Sequence, residues 1–338
     1  MYLRNHLGPT PQSEALPGQT RNNAGGYSWT LDDFGRLRRF LILGTEGGTY
    51  YASEHKITRE NLSTLDKILS RGFTEGGRRA VDLIAEVSEL GIAPKNDPAL
   101  LALAYCAKKG DDNTRAYARA QLPRVARICT HIQHFAGFVN ELGGWGRGTR
   151  RAVAAWYQGK PPDQLAYQLV KYQARDGWSN RDLLRLSHAK PPSAQHDQLF
   201  RWAVGKEPEG MLPEVLEAYR EIQKVDSAVA AAAVIRKSGL PREAVPTQWL
   251  TEKPVWVALL ASIKPEALVR NLATMTRVGL FEDTYNTDVA VNLLGEVSVQ
   301  RAKLHPIKVL SALKTYAQGH GERGGHSWTP VPRIVDAL

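Results

Sequence analysis

Cysteine is scarce in this chain, with only Cys106 and Cys129 among 338 residues. That excludes a disulfide framework and fits a reducing compartment such as the cytoplasm. Long hydrophobic runs are also missing. Two of the longest are Ala99 to Ala107, nine residues, and Ala228 to Ile235, eight residues and mostly alanine, against the roughly 20 apolar residues of a membrane-spanning helix. No membrane partner is expected. The first residues, Met1-Tyr2-Leu3-Arg4-Asn5-His6, hold no hydrophobic stretch of the kind a secretory signal carries. Convincing alternation of apolar and polar residues is absent as well, so little sheet is expected.

What is present is ordinary for a folded chain. Hydrophobic residues make up 43 % and charged residues 23 %, too apolar a mixture for disorder. Residues 1–26 are rich in Pro, Gly, Asn, Gln and Ser and read as a flexible leader, with order beginning near Tyr27-Ser28-Trp29. Residues 27–338 read as one all-α domain. Thr58 is placed to cap a helix with Leu62, Leu65 and Leu69 on one face, ended by Gly72. A second helix carries Val81, Ile84 and Val87 and stops at Gly91. Asp97-Pro98 reads as N-cap plus first-turn proline for Ala99 to Lys109. Pro265 opens a helix with Leu268, Leu272 and Met275, ended by Gly279; Pro306 opens another with Ile307, Leu310 and Leu313, ended by Gly319. Short helices joined by short loops predict stacked, HEAT-like helical pairs in a ring or an open solenoid.

The net charge of +10 favours acidic partners, nucleic acid first among them. The charge is concentrated. Between Arg115 and Lys190 stand thirteen Arg and Lys against four acids, an excess of nine that accounts for nearly the whole +10. Ser179 with Asp182 three residues on has the form of a capping box, flanked by Trp178 and Leu183 as a hydrophobic staple. On that helix Arg181, Arg185 and His188 share a face at i, i+4 and i+7. Lys171 and Arg175 are four apart on an expected preceding helix. Tyr172 and Trp178 lie between, as phosphate contact plus base stacking would require. Arg127, Arg147 and Arg150 extend the basic window, and His131 is expected to assist it from an exposed position.

Other constellations carry less. Leu43-Gly44-Thr45-Glu46-Gly47-Gly48-Thr49-Tyr50-Tyr51 is glycine-rich but lacks the Lys-Ser/Thr pair of a phosphate loop, so a tight turn is expected. Cys129, His131 and His134 fall short of the four ligands of a closed zinc site, and no metal or other cofactor is expected. Ser187 and His188 diverge by about 100° on a helix and form no nucleophile–base pair. No catalytic residue is assigned.

Several stretches together resemble the TROVE domain of the Ro autoantigen family. They are Gly26-Tyr27-Ser28-Trp29, Arg36-Leu37-Arg38-Arg39-Phe40, Gly44 to Tyr51, Trp145-Gly146-Arg147, Lys171-Tyr172, Gly177-Trp178-Ser179, Asp182 to His188, Arg270-Asn271-Leu272, His305-Pro306 and Gly319-His320-Gly321. The resemblance implies a ring of HEAT-like pairs that binds structured non-coding RNAs (Y RNAs) on a basic outer surface and takes single-stranded 3′ ends of misfolded RNAs into a central hole. It further implies a Y-like RNA able to tether the ring to an exoribonuclease, polynucleotide phosphorylase. Lys171, Arg175 and His188 match the family's RNA-contacting region. Family members usually continue into a von Willebrand factor A domain with a metal-binding Asp-x-Ser-x-Ser motif, which this sequence lacks. Two other readings compete: a HEAT-like DNA glycosylase built on Trp178 beside Asp176, and a solenoid that binds an acidic protein.

Overall fold

The computed structural model describes residues 15–21, 25–44, 54–175, 177–295, 302, 304, 306–318 and 329–338; for 54–61 and Arg175 the description is of the backbone alone. The glycine-rich stretch from Thr45 to Tyr51, with Asp176, His305 and Gly319, lies outside them. Helices dominate. In chain order they are α1 (Asp33–Leu43), α2 (Glu54–Leu69), α3 (Arg78–Leu90), α4 (Asp97–Lys109), α5 (Asp112–Ala120), α6 (Leu122–Val125), α7 (Cys129–Glu141), α8 (Arg147–Gln158) and α9 (Pro162–Lys171). Then follow α10 (Asn180–Ser187), α11 (Ala194–Ala203), α12 (Glu214–Ile222), α13 (Ala228–Ser238), α14 (Lys253–Leu260), α15 (Pro265–Arg277), α16 (Thr284–Leu294), α17 (Pro306–Ala317) and α18 (Pro332–Ala337).

The local stop and start signals act as chemistry dictates. Gly91 ends α3 in the left-handed region at φ 64°, which costs a glycine no Cβ clash. Pro98 and Pro265 sit in the first turns of α4 and α15, where the missing N–H has no intrahelical acceptor to lose. Two expected caps are corrected. Helix α2 begins at Glu54, so Thr58 is inside it. Asn96, not Asp97, precedes α4, and its side chain serves α7 instead of capping.

Two short antiparallel hairpins were not expected. β1 (Gln19–Arg21) pairs with β2 (Tyr27–Trp29), Gln19 opposite Trp29, so the leader's end forms a strand. β3 (Ala174–Arg175) pairs with β4 (Trp178–Ser179), Arg175 opposite Trp178. In this all-α, helical-repeat fold each helix packs mainly on helices within three positions of it in the chain, as α7 does on α4, α10 on α8 and α9 on α12. The densest point is α4, buried on almost every side from Pro98 to Ala107. It touches α1, α2, α3, α5, α6 and α7, which explains a helix without a polar face. Among the described residues, no helix is long and apolar enough to cross a membrane.

Candidate nucleic-acid interface

The basic window folds around α8, α9 and α10. Just before α8, Trp145 stacks on Trp178, just before α10, with centroids 5.7 Å apart and planes 26° apart. At the other end, Gln158 of α8 donates from Nε2 to the Lys190 carbonyl beyond α10, 2.8 Å. The two helices therefore lie side by side and run the same way, and α9 returns between their ends. Tyr157 joins them from within, its hydroxyl donating to Asn180 Oδ1 at 2.8 Å. The expected capping box is present: Asp182 N donates to Ser179 Oγ at 3.2 Å, and Ser179 N donates to Asp182 Oδ2 at 3.0 Å.

Amphipathic phase then decides what faces outward. Helix α8 buries Thr149, Val153, Trp156 and Tyr157 and exposes Arg147, Arg150 and Arg151. Helix α10 buries Asn180, Leu183, Leu184 and Ser187 and exposes Arg181 and Arg185. Arg151, counted in the basic window, was not singled out as a site residue, although its spacing from Arg147 is the i, i+4 signal that singled out the pair on α10.

Three expected placements are corrected. Helix α9 ends at Lys171, and Arg175 belongs to strand β3, so the two share no helical face. The chain turns back because Arg175 pairs with Trp178, with Gly177 between them at φ 77°. Asp-Gly is the signal that could have been read there. His188 is not the last residue on the α10 face; it stands just past the helix at φ 51°, the only non-glycine with positive φ among the described residues. The third is His131, treated below. Trp178 is partly buried, with one ring face given to Trp145. Lys171 Nζ lies over the rings of Tyr172 and Tyr167 at 5.4 and 5.8 Å. It also reaches Glu266 electrostatically. Burial would raise that carboxyl, but the hydrogen bond and charge of Lys308, with Arg270 and Lys171, hold it below its usual range.

Arg127 sits by the opposite end of α9. Its backbone carbonyl accepts from Lys160 Nζ (3.3 Å) and Gln168 Nε2 (3.4 Å); the residue is exposed, though partial burial of the guanidinium draws its pKa down against the pull of the Glu89 charge. His131, expected as an exposed basic helper, is instead a partly buried acceptor. Its Nδ1 takes hydrogen bonds from Asn96 Nδ2 at 3.2 Å and from the Arg127 N–H at 3.3 Å. Asn96 in turn donates to the Val125 carbonyl and accepts from Ser88. Burial, then the Arg127 charge, pushes the imidazole pKa down to about 3. A neutral ring is built into this junction. Because the unfolded chain protonates near the ordinary histidine value while the folded one resists, the contribution is complete above that value and lost as pH falls toward 3. Between pH 6 and 4 it should cost about 1.4 kcal/mol of stability per pH unit. His131→Gln keeps an acceptor that does not titrate. Urea unfolding should show its stability falling less steeply over that range; equal slopes would refute the assignment.

The charges on the outer face are notable for what they do not touch. Within the window, Arg124 pairs with Glu89 and Arg115 with Asp112. Arg127, Arg147, Arg150, Arg151, Arg181 and Lys190 are exposed with no carboxylate partner among the described residues. Arg185 donates only to the Val204 carbonyl, 3.4 Å. Cys129 is fully buried, and burial drives its thiol far above the ordinary range. Among the described residues no three His, Cys, Asp or Glu side chains gather as metal ligands would.

Known proteins with this pattern are similar over nearly the whole chain. The TROVE domain family model matches residues 20–238 and 235–323. RNA-binding protein RO60 of Deinococcus radiodurans is 39 % identical over 340 residues, covering 97 % of this chain and 62 % of the relative. RNA-binding protein RO60 of Caenorhabditis elegans is 31 % identical over 409 residues, covering 98 % and 63 %. The crystal structure of the Deinococcus radiodurans RO (RSR) protein superposes with a TM-score of 0.73 at 38 % identity, covering 90 % of this chain and 62 % of that one. The chain thus spans less than two thirds of the length of these relatives.

Proposed function

Since the chain belongs to the TROVE domain family, we propose that it binds RNA and acts by holding it rather than by chemistry of its own. The observation that carries this reading is the row of exposed arginines on α8 and α10 without acidic partners. A guanidinium already paired with a carboxylate offers a phosphate little; one left in water exchanges counterions for phosphate and gains from their release. Parallel helices with arginines at matching phase present a surface broader than one strand, which suits a structured RNA stem. The RNA class is a small, folded, Y-like non-coding RNA, with single-stranded ends of misfolded RNAs as a second ligand. An exoribonuclease such as polynucleotide phosphorylase is the partner such an RNA would bring, and the cytoplasm is the compartment. Together these make a role in non-coding RNA quality control.

A salt titration tests the reading. With about five phosphates neutralised, log K should fall against log salt with a slope near −3.5 to −4.5, a loss of roughly 10²–10³ in affinity between 50 and 200 mM. The measurement is filter binding of a hairpin RNA with a single-stranded 3′ tail. A flat response would remove the arginine face from the account.

A further inference from the structure

Where α10 ends and α11 begins to pack on it, the surface opens into a cleft of 360 Å³. Its floor is apolar, formed by Leu184, Phe200 and Val204, and its rim is charged. Not every rim charge is available. Arg201 is tied to the Glu209 carboxylate and the Glu207 carbonyl. Arg185 has only its long hydrogen bond to the Val204 carbonyl, and Lys206 has no carboxylate partner among the described residues. On α11, Asp197 lines the same cleft, and among the described residues its carboxylate has neither a hydrogen bond nor an ion pair. His188 stands at the mouth as the left-handed residue that ends α10.

From this arrangement we infer that the cleft is a subsite for one unpaired guanine nucleotide of the bound RNA, an inference that rests on the RNA-binding reading. The size suits a base with its sugar and phosphate and is far too small for a duplex. The apolar floor takes the face or edge of a base, and Arg185 and Lys206 stand where a phosphate would be neutralised. Asp197 supplies selectivity. A carboxylate repels phosphate, so beyond its favourable place in the first turn of α11 it selects for a ligand that brings donors. Among the four bases, guanine alone offers two adjacent donors on its pairing edge, N1–H and the 2-amino group, which match the two carboxylate oxygens. In a duplex that edge is already paired, so the nucleotide must come from a loop, bulge or single strand.

The test uses the full chain and fluorescein-labelled nonamers U9, U4-G-U4 and U4-I-U4, in which inosine lacks the 2-amino group, read by anisotropy. The unsubstituted protein should bind the guanine nonamer at least about fivefold more tightly than U9, with inosine between them. Asp197→Asn should erase that preference yet bind U9 no more weakly, because it removes a negative charge. Mere loss of structure would weaken both. Asp197→Glu, which keeps the carboxylate, should retain part of the preference. Equal affinity for the guanine and uridine nonamers, or a preference that survives Asp197→Asn, would overturn the subsite while leaving the arginine face intact. Failure of the protein to bind any of these RNAs or the tailed hairpin would overturn both. Should Asp197→Asn not fold, the ranking of guanine over inosine over uridine by the unsubstituted protein decides alone.

Discussion

Replacing Arg147, Arg150 and Arg181 together by Ala should weaken binding of a structured RNA by about 10²–10³-fold at 0.1 M salt. Each lost phosphate contact removes about one unit of salt slope and nearly a tenfold factor at that ionic strength. All three side chains are exposed and partnered with no acid among the described residues, so their removal leaves no buried charge behind and the fold should stay within a few tenths of a kcal/mol of its original stability. The control is Arg236→Ala with Lys237→Ala, a loss of two charges in the last turn of α13, outside the window. It should cost less than tenfold. Because phosphate contacts carry no sequence information, unrelated hairpins should lose affinity by similar factors. Comparable losses from the two sets, read in one filter-binding series, would make the α8–α10 face scaffold and send the RNA elsewhere.

The largest loss of stability should follow Trp156→Ala. Trp156 is 1 % exposed in the middle of the same assembly. Its indole N–H donates to the Ala126 carbonyl, its ring meets Tyr157 edge-on at 5.0 Å, and Lys160 Nζ rests 4.2 Å above it. Removing the ring should cost about 3–5 kcal/mol for the lost burial and the cavity. The orphaned Ala126 carbonyl pushes the figure toward the upper end. Trp156→Phe, which keeps most of the ring and loses the donor, should fall well short of that. Urea unfolding of the two variants checks the order. A loss under about 2 kcal/mol for the alanine variant would mean that α8 collapses to fill the space.

The parts of this molecule that were legible in its sequence are those fixed by residues within a turn or two of each other. Gly91, Pro98, Pro265 and the Ser179–Asp182 box acted locally, and the helices began or ended where these residues required. The phase of Arg181 and Arg185 was legible for the same reason. What escaped was decided at a distance. His131 looked like one more basic residue; its neutrality comes from burial and the Arg127 charge, in a junction that Asn96, 35 residues away, ties to Ser88 and Val125. The separation of Lys171 from Arg175 depended on a hairpin whose Asp-Gly turn was visible but was outweighed by a helical reading of the charges. Asp197 and Lys206 attracted no attention, because only the packing of α11 on α10 brings them to Arg185 and His188.

The dependence of each helix on others within three positions of it in the chain has a consequence for how the molecule opens. Stability in such an arrangement is close to a sum over adjacent interfaces, so unfolding need not be all-or-none, and segments can exchange their amide protons by separate openings. Helix α4, enclosed by six others, should exchange last. Helix α18, six residues long and resting on α16 and α17, should exchange early. The arginine face belongs to the interior of this series, beginning four helices past α4 and ending well before the last. RNA bound across α8 and α10 would therefore slow exchange in α7 to α11 strongly and in α14 to α16 hardly at all. A footprint so bounded, read by mass spectrometry, reports where the RNA lies without altering a single residue.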